Sequence, residues 1–381
     1  LKQADIQAYP AMINTYPGAK FDDELPMLNF DHMITYVETK TKKYWLDTSG
    51  QTGTFPGVSL NLENKKAFVV NVSAGAIITL PETTSADNVA TIDIDFSLAK
   101  TTLNAQVSLD LVGHVETNLR NFIQYSPNAL AAAEQIISPL LFNKRISDFT
   151  NSDPIDITTP FTLSANFNDI AEITPDIDSF RYSYDFSSIL SVFSSLNNLA
   201  PVASRKFDFT IFQPITVVIN SYYPQPWPKA KIAYSLPAKN IEHEFFSLSH
   251  QVQEKSDGLY ITSKFVLPKQ TISIADYANF YQKVDSFPSH SQSLFIYQKP
   301  NKSDLVVTNN GADTKDKIKQ AKSLLEQSLF VEALVAIKEV IATDENNAEA
   351  QYLLGLAFGF TGDDFQSEQA FERAEQLGYQ F

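Results

Sequence analysis

Residues 29–50 read NFDHMITYVETKTKKYWLDTSG, and the fold turns on how this stretch is understood. Two alternating runs, from Met33 through Val37 and from Tyr44 through Leu46, flank a polar turn of Thr and Lys. That is the pattern of an antiparallel hairpin with one face buried. A turn centred between Thr39 and Lys40 would place His32 directly across from Asp47, because opposed residues in an antiparallel pair have a constant sum of residue numbers. A lone His facing a lone Asp on a rigid sheet is a candidate proton-handling pair.

Composition limits what such a pair can do. The 381 residues contain no Cys, which removes disulfides, zinc–thiolate sites and a thiol nucleophile from the residues given. A formal charge of −15 and the lack of a Lys/Arg cluster argue against a nucleic-acid partner. No apolar run reaches the ~18 residues that span a bilayer. The length predicts two or three domains. The opening LKQADIQAYPA reads as the end of a helix entering a strand, so a fragment or a processed form is expected.

Working outward, residues 6–15 predict a strand broken at Pro10, and residues 16–28 a surface loop. AFVVNV, AIITL, ATIDIDFSL and NAQVSLDLVGHV within residues 66–115 predict strands. Residues 118–149 turn helical, with Pro139 as a kink or stop. Strands are expected again at 155–173, 207–220, 231–236, 243–253 and 258–267, the last entered by a Ser256, Asp257, Gly258 hairpin signal. Residues 186–199 read as a helix or an irregular excursion, and 273–286 as a short helix. A Pro, Asn, Lys, Ser, Asp and Gly-rich linker is expected at 299–313.

Beyond the linker the chain repeats at an offset of 34: Ala321 matches Gly355, Leu324 matches Phe358, Ala333 matches Ser367, Ile337 matches Phe371 and Val340 matches Ala374. Small residues let paired helices approach while large ones fill the groove. Asn346 with Glu349 and Asp363 with Gln366 read as capping boxes, and Gly362 and Gly378 as helix-end glycines. This segment, 314–381, resembles a pair of tetratricopeptide repeats. It departs from their pattern at Gln351 and Tyr379.

The opening stretch resembles the transglutaminase-like superfamily, on His32, then Tyr36, Val37 and Glu38, then Tyr44, Trp45, Leu46, Asp47 and Thr48. Tyr9, Pro10 and Ala11, then Asn29, Phe30, Asp31 and His32, and the helix after Ile272 with Tyr277 and Phe280, are similar to a bacterial subgroup of multidomain members with β-rich regions. The resemblance covers residues 1–298. It implies residues 1–62 as the C-terminal half of a papain-like core and residues 63–298 as a β-rich accessory region, divisible near 180–200. The expected class is therefore α+β with a helical C-terminus, and the compartment periplasmic or secreted.

In such a family a Cys on a preceding helix, His32 and Asp47 would form a triad. The imidazole takes the thiol proton, the carboxylate fixes its tautomer, and the acyl-enzyme passes to an amine or to water. Trp45 would wall the site. The Cys that the family requires is not in this chain, so His32 and Asp47 are a base without a nucleophile. Two readings remain open: a cysteine acyltransferase or amidase acting on protein or peptide substrates, and a non-catalytic interaction protein using the β-rich region and repeats. A hydrogen-bonded polar pair with no chemistry is the plain reading of the hairpin alone. His114, His243, His250 and His290 are scattered over strands or loops and suggest no metal site. No cofactor motif, phosphate loop or G-x-S-x-G elbow occurs. Tyr222, Tyr223 and Trp227 among three prolines read as a loop, either facing a ligand or packed as a rigid edge connection.

Overall fold

The computed structural model describes residues 6–16, 30–50, 52–53, 55, 57–70, 75–141, 143–173, 179–185, 193, 196, 199, 205–235, 239–285, 292–299, 314–326, 329–361 and 363–380. The expected linker at 299–313 lies outside these apart from Lys299, as do Gly362, His290 and most of 186–199. The chain is α+β and divides into two units. One comprises Leu1–Glu172, Ser188–Pro224 and Ala238–Asp285; the other comprises Ile173–Ser187, Gln225–Pro237 and Ser286–Phe381.

In the first unit, β1 (Gln7–Ile13), β2 (His32–Glu38), β3 (Lys43–Leu46), β4 (Lys66–Val69) and β5 (Ala76–Thr79) form a sheet in the order β3-β2-β1-β4-β5. All its pairings are antiparallel. Contrary to expectation, β1 runs straight through Pro10. The Pro10 carbonyl accepts from Val70 N at 2.8 Å, so its proton-less nitrogen points to the same side, where β4 has already ended. Ala11, Ile13, Ile34, Tyr36, Trp45, Ala67 and Val69 share a buried core with Leu62 and Leu80.

A second, eight-stranded sheet follows. Its elements begin with β6 (Val89–Ala99) and β7 (Thr102–Val112), then α1 (His114–Tyr125) and α2 (Ala129–Ile137), then β8 (Asp148–Asn151) and β9 (Thr162–Glu172). After β10 (Ser179–Asp185) and β11 (Phe209–Ile211) come β12 (Ile215–Pro224), β13 (Lys231–Ser235), β14 (Lys239–His243), β15 (Phe246–Lys255), β16 (Gly258–Leu267), β17 (Gln270–Ile272), α3 (Ile274–Asp285) and β18 (Gln292–Gln298). The sheet order is β14-β15-β16-β12-β6-β7-β9-β8. All neighbours are antiparallel except β12, which joins β6 in parallel, Thr216 beside Val89.

Several sequence expectations shift here for local reasons. The helical region 118–149 is two helices separated at Ser126, Pro127 and Asn128, and Asn128 caps the second by accepting from Ala131 N at 3.2 Å. Pro139 falls in a 3-10 turn, Ser138–Leu141, that ends it. The first helix starts at His114, after Gly113, whose φ of +80° and contact with Asp87 O leave no room for a Cβ. Ile155 and Ile157 are exposed in a turn, not on a strand. Pro214 divides the run at 207–220 between β11 and β12. Residues 243–253 belong to a hairpin, β14 to β15, with His243 paired to Phe246 across Glu244 and Phe245. Tyr222 and Tyr223 are in strand β12, not in a loop, and Tyr223 is buried against Phe96 at 4.7 Å.

Arg120 holds one loop in place. Its guanidinium, 0% exposed as a residue, bonds Glu116 Oε1 at 2.7 and 3.0 Å and donates to the carbonyls of Asp153, Pro154, Asp156 and Thr159. Glu116 Oε1 also accepts from Phe161 N at 3.0 Å. This satisfied network explains how a full charge pair is buried.

In the second unit β10, β18 and β13 form a three-stranded sheet, and α4 (Thr314–Glu326), α5 (Phe330–Thr343), α6 (Ala348–Thr361) and α7 (Asp364–Gln376) follow. Helix starts recur at the offset of 34, Thr314 with Ala348 and Phe330 with Asp364. Ile296 of β18 shares a core with Ala321, Leu334, Ile337, Val340 and Phe358. Asp363 caps α7 as expected, accepting from Gln366 N at 3.1 Å. For α6 the cap is Asn347 rather than Asn346: Ala350 N donates to Asn347 Oδ1 at 3.0 Å, while Asn346 Oδ1 accepts from Arg373. Gly378 has φ +86° and closes α7, with Gly378 N bonded to Glu375 O.

Candidate functional site

His32 and Asp47 meet, although not by the expected register. β2 pairs with β3 as Thr35 with Leu46, Tyr36 with Trp45 and Val37 with Tyr44, which places Asp47 across from Ile34. The correction is two residues, and Thr39 accounts for it. Its N donates to Lys42 O at 2.9 Å and its hydroxyl accepts from Lys42 N at 2.9 Å, so the turn centres one residue later than expected. A two-residue shift keeps every side chain on its own face. His32 and Asp47 thus become diagonal neighbours, with His32 Nε2 at 3.2 Å from Asp47 Oδ2.

The carboxylate is held more tightly than the imidazole. Asp47 Oδ1 accepts from Ser49 N at 3.1 Å and Ser49 Oγ at 2.7 Å, and Ser59 Oγ reaches Oδ2 at 3.4 Å. Burial pushes the Asp47 pKa up, but the Ser49 and His32 hydrogen bonds outweigh it and hold the carboxyl below its ordinary value. The Asp47 side chain is 7% exposed and the His32 side chain 22%, so the ring remains reachable from solvent. With Nε2 in contact with the carboxylate, Nδ1 is the ring nitrogen that Asp47 does not engage.

Upstream of His32, Asp31 accepts from Thr15 N at 2.7 Å and Thr15 Oγ1 at 2.6 Å, and its own N donates to Ile13 O. These Thr15 hydrogen bonds depress the Asp31 pKa. They clamp the entry of β2 to the end of β1, and so fix where His32 starts. Trp45 lies opposite Tyr36 and two residues before Asp47, on the same face of the sheet; its ring centroid is 4.9 Å from that of Tyr36, in the buried core.

A second charged group, which the sequence did not flag, lies just beyond this sheet. Glu63 Oε1 accepts from Thr83 Oγ1 at 2.6 Å and contacts His114 Nε2 at 2.7 Å, with a Glu63 side chain 2% exposed. Lys269 Nζ stands 3.6 Å from Glu63 Oε2, too far for a hydrogen bond but close enough for charge, and bonds Glu82 at 2.7 Å. Burial raises the Glu63 pKa, and the His114 and Thr83 bonds more than reverse this. His114 is thus the first residue of a helix and not the strand or loop residue expected. Of the other histidines, His250 bonds Ser263 Oγ at 2.8 Å, and burial lowers its pKa to about 4. Among the described residues no three His, Asp or Glu side chains gather as a metal site, and no helix is long and apolar enough to cross a membrane.

No protein-family profile and no curated protein matches the chain. Among solved structures it resembles a candidate protease from Parabacteroides distasonis, at 13% identity and a TM-score of 0.39. The match covers 77% of this chain and 41% of that one, so the chain spans less than half of its structural neighbour. A likeness of this size assigns neither fold nor activity.

Proposed function

We propose that His32 and Asp47 are the base and the orienting carboxylate of a papain-like, transglutaminase-type cysteine centre. Its thiol would come from residues other than these 381. The observation that supports the reading is the 3.2 Å contact between His32 Nε2 and an Asp47 carboxylate that is buried and locked by Ser49. An imidazole held this way has one tautomer favoured and one basic nitrogen presented, which is what a general base for a thiol needs. With a Cys, the centre would form an acyl-enzyme on a protein or peptide amide and release it to an amine or to water.

The reading is tested on the coding sequence that precedes Leu1. It requires a Cys near the start of a helix there. The protein extended to include that Cys should react quickly with iodoacetamide near neutral pH, and His32→Ala should slow that reaction at least tenfold. Ser or Ala at that position, or alkylation indifferent to His32, ends the proposal.

The alternative reading, a non-catalytic interaction protein, draws on the second unit, whose helix starts recur at 34 residues in the manner of tetratricopeptide repeats. Deleting residues 314–381 should then abolish partner capture from a periplasmic extract. Capture that persists removes the repeats from the argument.

A further inference from the structure

Asp47 sits one residue beyond the last cross-strand pair of β3, Leu46 with Thr35, so no ladder pairing with β2 sets its distance from His32. Its bonds to Ser49 are local and move with it. The carboxylate is therefore held in place through the chain that follows. That chain returns to where it left, because Gly57 lies beside Leu46 in a parallel bridge. Between the two, Thr52 is 1% exposed, although Gly53 and Phe55 near it are exposed. Its hydroxyl donates to Asn121 Oδ1 of α1 at 2.5 Å. The stretch after Asp47 is thus closed at its base and tied near its middle.

A second tie lies downstream. Ser59, whose hydroxyl is 3.4 Å from Asp47 Oδ2, accepts from Leu62 N through its carbonyl at 2.9 Å. Glu63 comes next, and Glu63 Oε1 meets His114 Nε2 of the same helix at 2.7 Å. His114 and Asn121 are seven residues apart, which is two helical turns and so one side of α1, roughly 10 Å along it. The helix that offers these two contacts is itself fixed. Asn88 Oδ1 accepts from His114 N at 2.8 Å, and Val115, Leu119 and Ile123 are buried away from that side. Glu116 and Arg120, also turned away from it, are bonded to the loop that ends at Phe161.

We propose that Thr52 and Asn121 are positioning residues of the candidate centre: their hydrogen bond ties the chain after Asp47 to α1 and so holds the carboxylate at His32 Nε2. Their role rests on His32 and Asp47 being the working groups of the proposed centre, but the tie itself needs no thiol. Thr52 is buried for a hydrogen bond rather than for packing, since it stands outside the apolar cluster of Ile34, Trp45 and Leu62. The eight-stranded sheet, through the helix it carries, thereby takes part in aligning a pair of groups that belongs to the five-stranded one.

The carboxyl carbon shift of Asp47, followed through a pH titration of the full chain, tests the tie. Thr52→Val keeps the shape of the side chain and removes the donor. The Asp47 midpoint should then rise, because a carboxyl that leaves His32 returns toward its ordinary value whether it stays buried or becomes solvated. Thr52→Ser keeps the donor and should titrate as the parent does. Asn128→Ala removes the cap of the neighbouring α2, and should lower the urea midpoint without moving Asp47, which separates lost position from lost stability. Should Thr52→Val not fold, Asn121→Ala is measured in its place. A folded variant lacking the tie that keeps the parent's Asp47 midpoint overturns the proposal. So does a rise in Thr52→Ser or Asn128→Ala as large as in Thr52→Val. In the protein extended to include a Cys, Thr52→Val should also slow alkylation about fivefold, the loss of one hydrogen bond. Alkylation indifferent to His32→Ala would end the reading of the centre, and the Asp47 titration would still decide the tie.

Discussion

Replacing Glu63 with Gln keeps the shape of the side chain and removes its charge, which isolates what the anion does at the junction between the two sheets of the first unit. Glu63 follows directly on the turn that contributes Leu62 to the core of the five-stranded sheet, and it is bonded to the first residue of α1. A hydrogen bond to a charged group contributes ~1.5–3 kcal/mol and a neutral one ~0.5–1.5 kcal/mol. Converting the His114 and Thr83 bonds from the first kind to the second should therefore cost about 1–2 kcal/mol at pH 7, discounted because Lys269 keeps Glu82 as a partner. With a denaturant slope of ~3 kcal/mol/M, that is a fall of roughly 0.5 M in the urea midpoint. Trp45 reports this sheet, and a Trp227→Phe background removes the second indole. The sign with pH follows from the direction of the shift. The folded pKa of Glu63 lies below the unfolded 4.5, so its stabilisation is present above 4.5 and is lost as pH falls through the lowered folded value. The gap between parent and Gln variant should therefore be full at pH 7 and close toward pH 3. A variant with the parent's midpoint at pH 7, or a gap that stays constant down to pH 3, refutes the reasoning.

Three further outcomes are expected. Arg120→Met strands the Glu116 carboxylate in the core and should cost about 3–5 kcal/mol in chemical denaturation, whereas a loss under ~1 kcal/mol would show that water replaces the guanidinium. Ser49→Ala removes the shortest bond to Asp47, so the Asp47 pKa, followed by carboxyl carbon chemical shift, should rise; an unchanged titration would mean the backbone bond of Ser49 suffices. Gly355→Ala would put a Cβ 2.6 Å from the Phe371 ring. Crowding of that kind costs ~1–3 kcal/mol, against up to ~1 kcal/mol gained in helix propensity. Thermal unfolding of the second unit should thus move downward, and an upward shift contradicts the close approach of α6 and α7.

The parts of this structure that were readable from sequence are those fixed by local pattern. Alternation located β2, β3, β6 and β7, and the 34-residue offset placed four helices because small and large apolar positions recur with it. The His32 and Asp47 contact survived an error in register because the side-chain period of a strand is two, so a two-residue shift preserved the face. Local chemistry the sequence did contain was under-read: Thr39 pins the turn, and Asp47, Thr48, Ser49 is the spacing of a side chain that bonds its own backbone two residues on. What could not be read is non-local. Glu63 and His114 are 51 residues apart, and nothing near either one signals the other. Likewise β10, β13 and β18 join into one sheet only through tertiary pairing.

The parallel joint between β12 and β6 bears on how this chain is made. Thr216 lies beside Val89, so 127 residues separate the partners. At ~5–20 residues per second, about 6–25 s of synthesis pass before β12 exists. Through that interval β6 can pair with β7 while its other edge stays open, an apolar template for any neighbouring nascent chain. Crowded ribosomes on one message would hold many such edges close together, so holdase access during translation should govern yield more than the stability of the finished sheet.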